Sequence, residues 1–217
     1  MSDTSDHNKF NENRALSHLY RAAARRAWGR LSAAVLMSLL LPAAVMAAEP
    51  VPASKPLWSV SLATAAGAGP IYANHTIRQI VHLSAAGSSL RLRMSHRYGA
   101  DAIGLTAVSI GIVDQGAAIQ PETLRPVSFG GQRIVSLGGG QTLTSDPIPL
   151  SVGQFEDLAI SFTVASYVNQ ISRHATARER VYMSKAQAAA DDASDSSYRP
   201  VIGANNMSYL LIEAVEA

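Results

Sequence analysis

Leu158-Ala159-Ile160-Ser161-Phe162-Thr163-Val164 alternates large apolar side chains with small or hydroxyl-bearing ones. A period of two is the mark of a β-strand, and it turns Leu158, Ile160, Phe162 and Val164 toward a core. Leu90-Arg91-Leu92-Arg93-Met94-Ser95 repeats the pattern, with Leu90, Leu92 and Met94 inward and Arg91 and Arg93 toward water. Residues 106–113 place Val108, Ile110 and Ile112 on one face and the small Ala107, Ser109 and Gly111 on the other. Shorter strands are predicted over residues 77–83, 133–137, 180–184 and 209–215.

Turn residues fall between these segments: Ala86-Gly87-Ser88, Gly130-Gly131, Gly138-Gly139-Gly140 and Asp146-Pro147. Short strands with regular punctuation predict an all-β fold, an antiparallel β-sandwich or jelly roll. No window carries a long apolar stripe at helical spacing, and strands do not alternate with helices, which argues against a doubly wound sheet. Residues 185–206 break the pattern. Ala188-Ala189-Ala190 is followed by Asp191, Asp192, Ser194, Asp195, Ser196 and Ser197, a polar loop with at most one helical turn. Loops of this length are usually functional or mobile.

The first 48 residues have a different character. A basic stretch from Arg21 to Arg30 precedes an apolar run, LSAAVLMSLLL, over residues 31–41; small residues follow, ending Val45-Met46-Ala47-Ala48. This is the order of a helical signal peptide, cleaved after Ala47 or Ala48. An uncleaved anchor is the rival reading, although the run is short of the about 20 residues a span requires. Arg25-Arg26 raises twin-arginine export as an alternative to the general route. The predicted organisation is a signal peptide over 1–48, a Pro/Ala-rich linker over 49–56 and a β-sandwich domain over 57–217. The predicted location is periplasmic or extracellular, with no stable membrane span after cleavage.

Charge follows the same division. The formal net charge is +2, but residues 1–48 hold six basic and three acidic residues. The rest of the chain holds twelve basic and thirteen acidic ones, so it offers no charge argument for nucleic acid. The absence of cysteine excludes disulfides, thiolate metal sites and cysteine nucleophiles.

Candidate chemistry is sparse. There is no Gly-x-Ser-x-Gly. His75, His82, His96 and His174 are isolated, without the i, i+2 or i, i+4 spacing of a histidine metal site, so no metal or cofactor is expected. His82 reads as a strand-face residue and His174 as a solvated loop residue. Asp191, Asp192 and Asp195 lack the spacing of a dedicated calcium loop and read as a solvated loop. Arg91 and Arg93 share a strand face, and Arg78 on a neighbouring strand would complete a candidate anion or sugar-acid site. The plain alternative is the ordinary solvent face of a sheet. The Trp and Tyr residues after the leader are too scattered to mark a sugar site.

Six segments, taken in order, resemble the N-terminal β domain of secreted bacterial SGNH/GDSL-type hydrolases. They are Thr76-Ile77-Arg78-Gln79-Ile80-Val81, Leu90-Arg91-Leu92-Arg93-Met94-Ser95, Tyr98-Gly99, Val127-Ser128-Phe129-Gly130-Gly131, Ser145-Asp146-Pro147-Ile148 and Leu158-Ala159-Ile160-Ser161. The resemblance covers about residues 57–217. His96 stands where that pattern has Asn, Tyr98 replaces Phe, and residues 167–180 match poorly. In the family, a strand like residues 209–217 leads into Gly-Asp-Ser, which supplies the nucleophile, and a later Asp-x-x-His supplies acid and base. Neither motif occurs in this chain, which ends at Ala217. The resemblance therefore implies an accessory domain without its catalytic partner, and no catalytic residue has a position here. Its expected partners are an SGNH hydrolase domain or a glycan. Two alternatives stand beside it: a carbohydrate- or cell-envelope-binding module, and a structural partner for a separately encoded hydrolase.

Overall fold

The computed structural model describes residues 54–67, 73–186, 189–203 and 205–217. The predicted signal peptide and all but the end of the predicted linker lie outside the described residues.

The fold is all-β and antiparallel. The strands are β1 (Pro56–Ser59), β2 (Thr64–Gly67), β3 (Thr76–His82), β4 (Arg91–Ser95), β5 (Ile103–Ile112), β6 (Arg125–Pro126), β7 (Val135–Leu137), β8 (Thr142–Thr144), β9 (Asp157–Val164), β10 (Gln170–His174), β11 (Tyr182–Ser184), β12 (Tyr198–Pro200), β13 (Tyr209–Leu210) and β14 (Ile212–Glu216). One layer is a seven-stranded sheet ordered β12-β11-β3-β9-β5-β6, with β7 also pairing β5. The other layer consists of β1-β14-β4-β8 and β13-β10-β2. These two sheets are joined where β13 runs into β14 through Leu211, which sits in the left-handed region at φ 60°.

The alternation that predicts the strands also fills the sandwich. Ile77 and Val81 of β3, Val108 and Ile110 of β5, and Leu158, Ile160 and Phe162 of β9 meet Leu57, Leu92, Met94, Ile171, Leu210, Ile212 and Val215 of the facing layer in one apolar cluster. Each fully buried side chain of this kind stabilises the fold by about 1.5–3 kcal/mol.

The expected strand over 209–215 is present but broken. Leu211 donates its N–H to Ser172 O, and its own carbonyl accepts the N–H of Ser95. One residue thus bonds both β10 and the end of β4, and the chain bends between them. Six strands have no alternating signal in the sequence: β1, β2, β6, β8, β10 and β12. Each is two to five residues long, and β10 (Gln-Ile-Ser-Arg-His) has a single apolar side chain to bury. His174, expected in a loop, closes β10, and its Nδ1 lies 3.0 Å from Ser61 O. Lys55 bonds Ala217 through both backbone groups, so the ladder begins before β1 and ends on the last residue.

Candidate functional site

The outward face of β3, β9 and β5 is lined by Thr76, Arg78, Ser161, Thr163, Ala107 and Ser109. A sheet face open to water would carry many long charged side chains; apart from Arg78 these are small, and the chain from Ala189 to Tyr198 lies over them. Ser109 Oγ donates to Ala190 O at 2.5 Å, and the N–H of Ala189 reaches Thr76 Oγ1 at 2.8 Å. The 113–119 hairpin closes from the other side, so near that a β-carbon on Gly111 would stand 2.5 Å from Ile119 Cγ2.

Arg78 is the centre of this covered face. Its side chain is fully buried. Nε donates to Ser161 Oγ at 2.7 Å, Nη1 to Ala117 O at 2.6 Å and Nη2 to Asp192 O at 2.5 Å. The guanidinium carbon lies 3.9 Å from the centre of the Tyr198 ring, a cation–π contact. Burial pulls the Arg78 pKa down, opposed by Tyr198, Asp192 and Asp195. Burial pushes the Tyr198 hydroxyl up to about 12, and that hydroxyl donates to Ala189 O. One guanidinium thus ties the sheet, the hairpin and the long loop together.

Beside it lies a cleft of about 790 Å³ lined by Ala107, Thr163, Lys185, Asp191, Asp192 and Ser197, among others. Its carboxylates are already engaged. Asp191 pairs with Arg133 at 3.2 Å. Asp192 accepts from Ser197 and Ser194, and these hydrogen bonds hold its pKa below the ordinary carboxylate value. A base so stabilised in its ionised form is a weak one. Asp195 accepts the N–H of Ala117 at 2.7 Å. The three aspartates of the loop therefore serve three different partners, and among the described residues no cluster of His, Asp or Glu is arranged to hold a metal.

The candidate arginine site is not assembled. Arg78 lies in the seven-stranded sheet and is buried, whereas Arg91 and Arg93 lie on β4 in the other layer. Arg91 Nη1 donates to Ser145 O at 2.9 Å. Arg93 pairs with Glu216 at 2.9 Å and Glu213 at 3.4 Å. Alternation places a side chain on a face but does not say to which sheet its strand belongs, and that is why the three looked combinable. The signal for Arg78 was the small residues of β5 and β9, which leave room for a covering loop.

The histidines, isolated in sequence, acquire partners in space. His75 Nδ1 lies 3.1 Å from Ser184 O, so this nitrogen carries a proton toward the carbonyl and cannot act as a base on Ser184 Oγ, 3.5 Å away. His96 is buried, with Nδ1 3.3 Å from Ser172 Oγ and accepting the Ser172 N–H at 3.4 Å. That serine oxygen in turn accepts the Tyr98 N–H at 2.9 Å. Gly99 covers the ring so tightly that a β-carbon would fall 1.8 Å from it. The pair resembles a nucleophile and base but has no space for a substrate.

Burial holds the His96 pKa below 6.5, against the opposing influence of Asp101. The unfolded chain therefore binds a proton that the folded chain refuses. Stability is flat above the unfolded value and falls as pH drops through it, until the folded ring titrates. Urea midpoints should decline between about pH 7 and pH 5, and His96→Asn should remove that part of the slope. An unchanged slope in the variant would rule His96 out as its source.

Two further segments are joined by one carboxylate. Asp146 accepts Ser128 Oγ at 2.7 Å, the Gly131 N–H at 2.8 Å and the Gly130 N–H at 3.0 Å. These bonds, led by that of Ser128, lower its pKa. Gly130 and Gly131 both have positive φ, which glycine adopts without steric cost. The chain matches no protein-family model and no curated protein sequence. Arg78, His96, Asp146 and Ser161 are committed to contacts within the chain, as is Gln79, which bonds the backbone of Leu210.

Proposed function

We propose that the chain is an exported, non-catalytic β-sandwich domain of the kind that accompanies a secreted SGNH/GDSL-type hydrolase domain. The observation that supports this reading is how the resembling segments are used. Arg78 and Ser161, from two of them, bond each other. Gln79 bonds the backbone of Leu210 in the facing layer. Asp146 caps the Gly130-Gly131 turn, and Gly99 packs on His96. Residues with such duties specify a scaffold, and in this reading the chemistry belongs to the accompanying hydrolase domain. The partner in this reading is a hydrolase that removes ester groups, acetyl groups on carbohydrate above all.

The test is turnover of p-nitrophenyl acetate by the purified chain. The expected rate equals that of a heat-denatured control. Turnover that depends on a single serine would overturn the proposal.

A further inference from the structure

Phe155 is the third residue of the turn Gly153-Gln154-Phe155-Glu156 that leads into β9. Its φ is +67°, in the left-handed region that a bulky side chain rarely occupies and that glycine occupies freely. Burial does not offset that strain, because Phe155 is 64% exposed. Backbone strain kept for the sake of an exposed ring points to a role outside the fold.

The surroundings of the ring are ordered. The Phe155 N–H donates to Leu83 O at 3.0 Å, Gln154 Nε2 donates to Ser84 O at 3.0 Å, and the Gly153 N–H donates to Glu156 Oε2. The ring lies nearly parallel to that of His82, 14° between planes and 6.0 Å between centroids. His82 is fixed by Asp157, Nδ1 to Oδ1 at 2.7 Å. Both side chains are partly exposed, and His82 Nε2 and Asp157 Oδ2 have no hydrogen-bond partner among the described residues.

We propose that Phe155, His82 and Asp157 form a contact platform for a pyranose ring. The faces of an aromatic ring carry negative charge density and attract the weakly positive C–H groups of a sugar face. The imidazole and the carboxylate supply a donor or acceptor and a pure acceptor for the hydroxyls at its rim. A protein partner would need a contiguous apolar surface. Among the described residues, the other exposed large apolar side chains, Tyr98, Ile134, Tyr167, Ile202 and Met207, are carried by other loops, and those of Tyr98 and Tyr167 lie at the opposite end of β5 and β9. The platform stands on these residues alone and does not depend on the family reading.

The test is electrophoresis of the full chain in native gels containing xylan, hydroxyethylcellulose or glycol chitin. Retardation is expected in at least one gel. Phe155→Gly should weaken it by about tenfold without lowering the melting temperature, and Phe155→Tyr should keep it. Migration unaffected by all three polysaccharides, equal retardation of Phe155→Gly, or a lower melting temperature for that variant would each overturn the proposal. The last outcome would show that the ring serves the fold.

Discussion

Replacing Arg78 with methionine is expected to lower the free energy of unfolding by about 3–5 kcal/mol. Methionine keeps much of the buried stem but gives up every donor. Ser161 Oγ, Ala117 O and Asp192 O lose their bonds together, and at a covered site water cannot replace all three. Arg78→Lys should recover little, since one ammonium cannot reach three acceptors spread around a planar fork. Urea denaturation measures the loss. Amide hydrogen exchange locates it: the amides of residues 189–198 should exchange faster in the variant, whereas those of β4 and β14 should not. A loss under about 1 kcal/mol, with the loop amides still protected, would mean that Tyr198 and Ser109 hold the loop unaided.

Gln79→Ala is expected to cost about 2–4 kcal/mol. Gln79 points to the opposite face of β3, into the sandwich. There Nε2 donates to Leu210 O at 2.9 Å, and Oε1 accepts the Leu210 N–H at 2.6 Å. The side-chain amide does for β13 what a neighbouring strand would do, and truncation leaves a buried donor and a buried acceptor without partners. Gln79→Glu should be worse at neutral pH, because a carboxylate offers nothing to Leu210 O and brings a charge into the core. Exchange at Leu210 and Leu211 is the local readout. Unchanged protection there would remove Gln79 from the set of sheet-bridging contacts.

Adjacent residues on one strand thus carry opposite duties, and this marks how far the sequence can be interpreted. β4, β5 and β9 are legible because large apolar side chains recur there at a spacing of two, with Leu90 just before β4 extending its run. β10 and β12 are not, because their place is set by backbone pairing with partners distant in sequence. Arg78 and Arg91 look alike in the linear chain, since alternation does not reveal what will lie over a face. The Arg78 face is buried beneath residues 189–198, which composition marks as a solvated loop; there Tyr198 and Ala190 are buried among exposed serines and aspartates. The serine–histidine contacts were hidden for a similar reason. Ser172 and His96 are 76 residues apart, and the bend at Leu211 bonds both β10 and the end of β4.

The contact between Ser172 and His96 also provides the sharpest test of the proposal that the domain is non-catalytic. An active-site serine paired with a basic histidine reacts with a fluorophosphonate, whereas a serine whose oxygen is engaged by a backbone N–H and sealed from solvent does not. The measurement is fluorophosphonate labelling of the folded chain, read by intact-mass spectrometry. The expected result is an unmodified mass. A single adduct mapping to Ser172 or Ser184, lost on substitution of His96 or His75 respectively, would contradict the account.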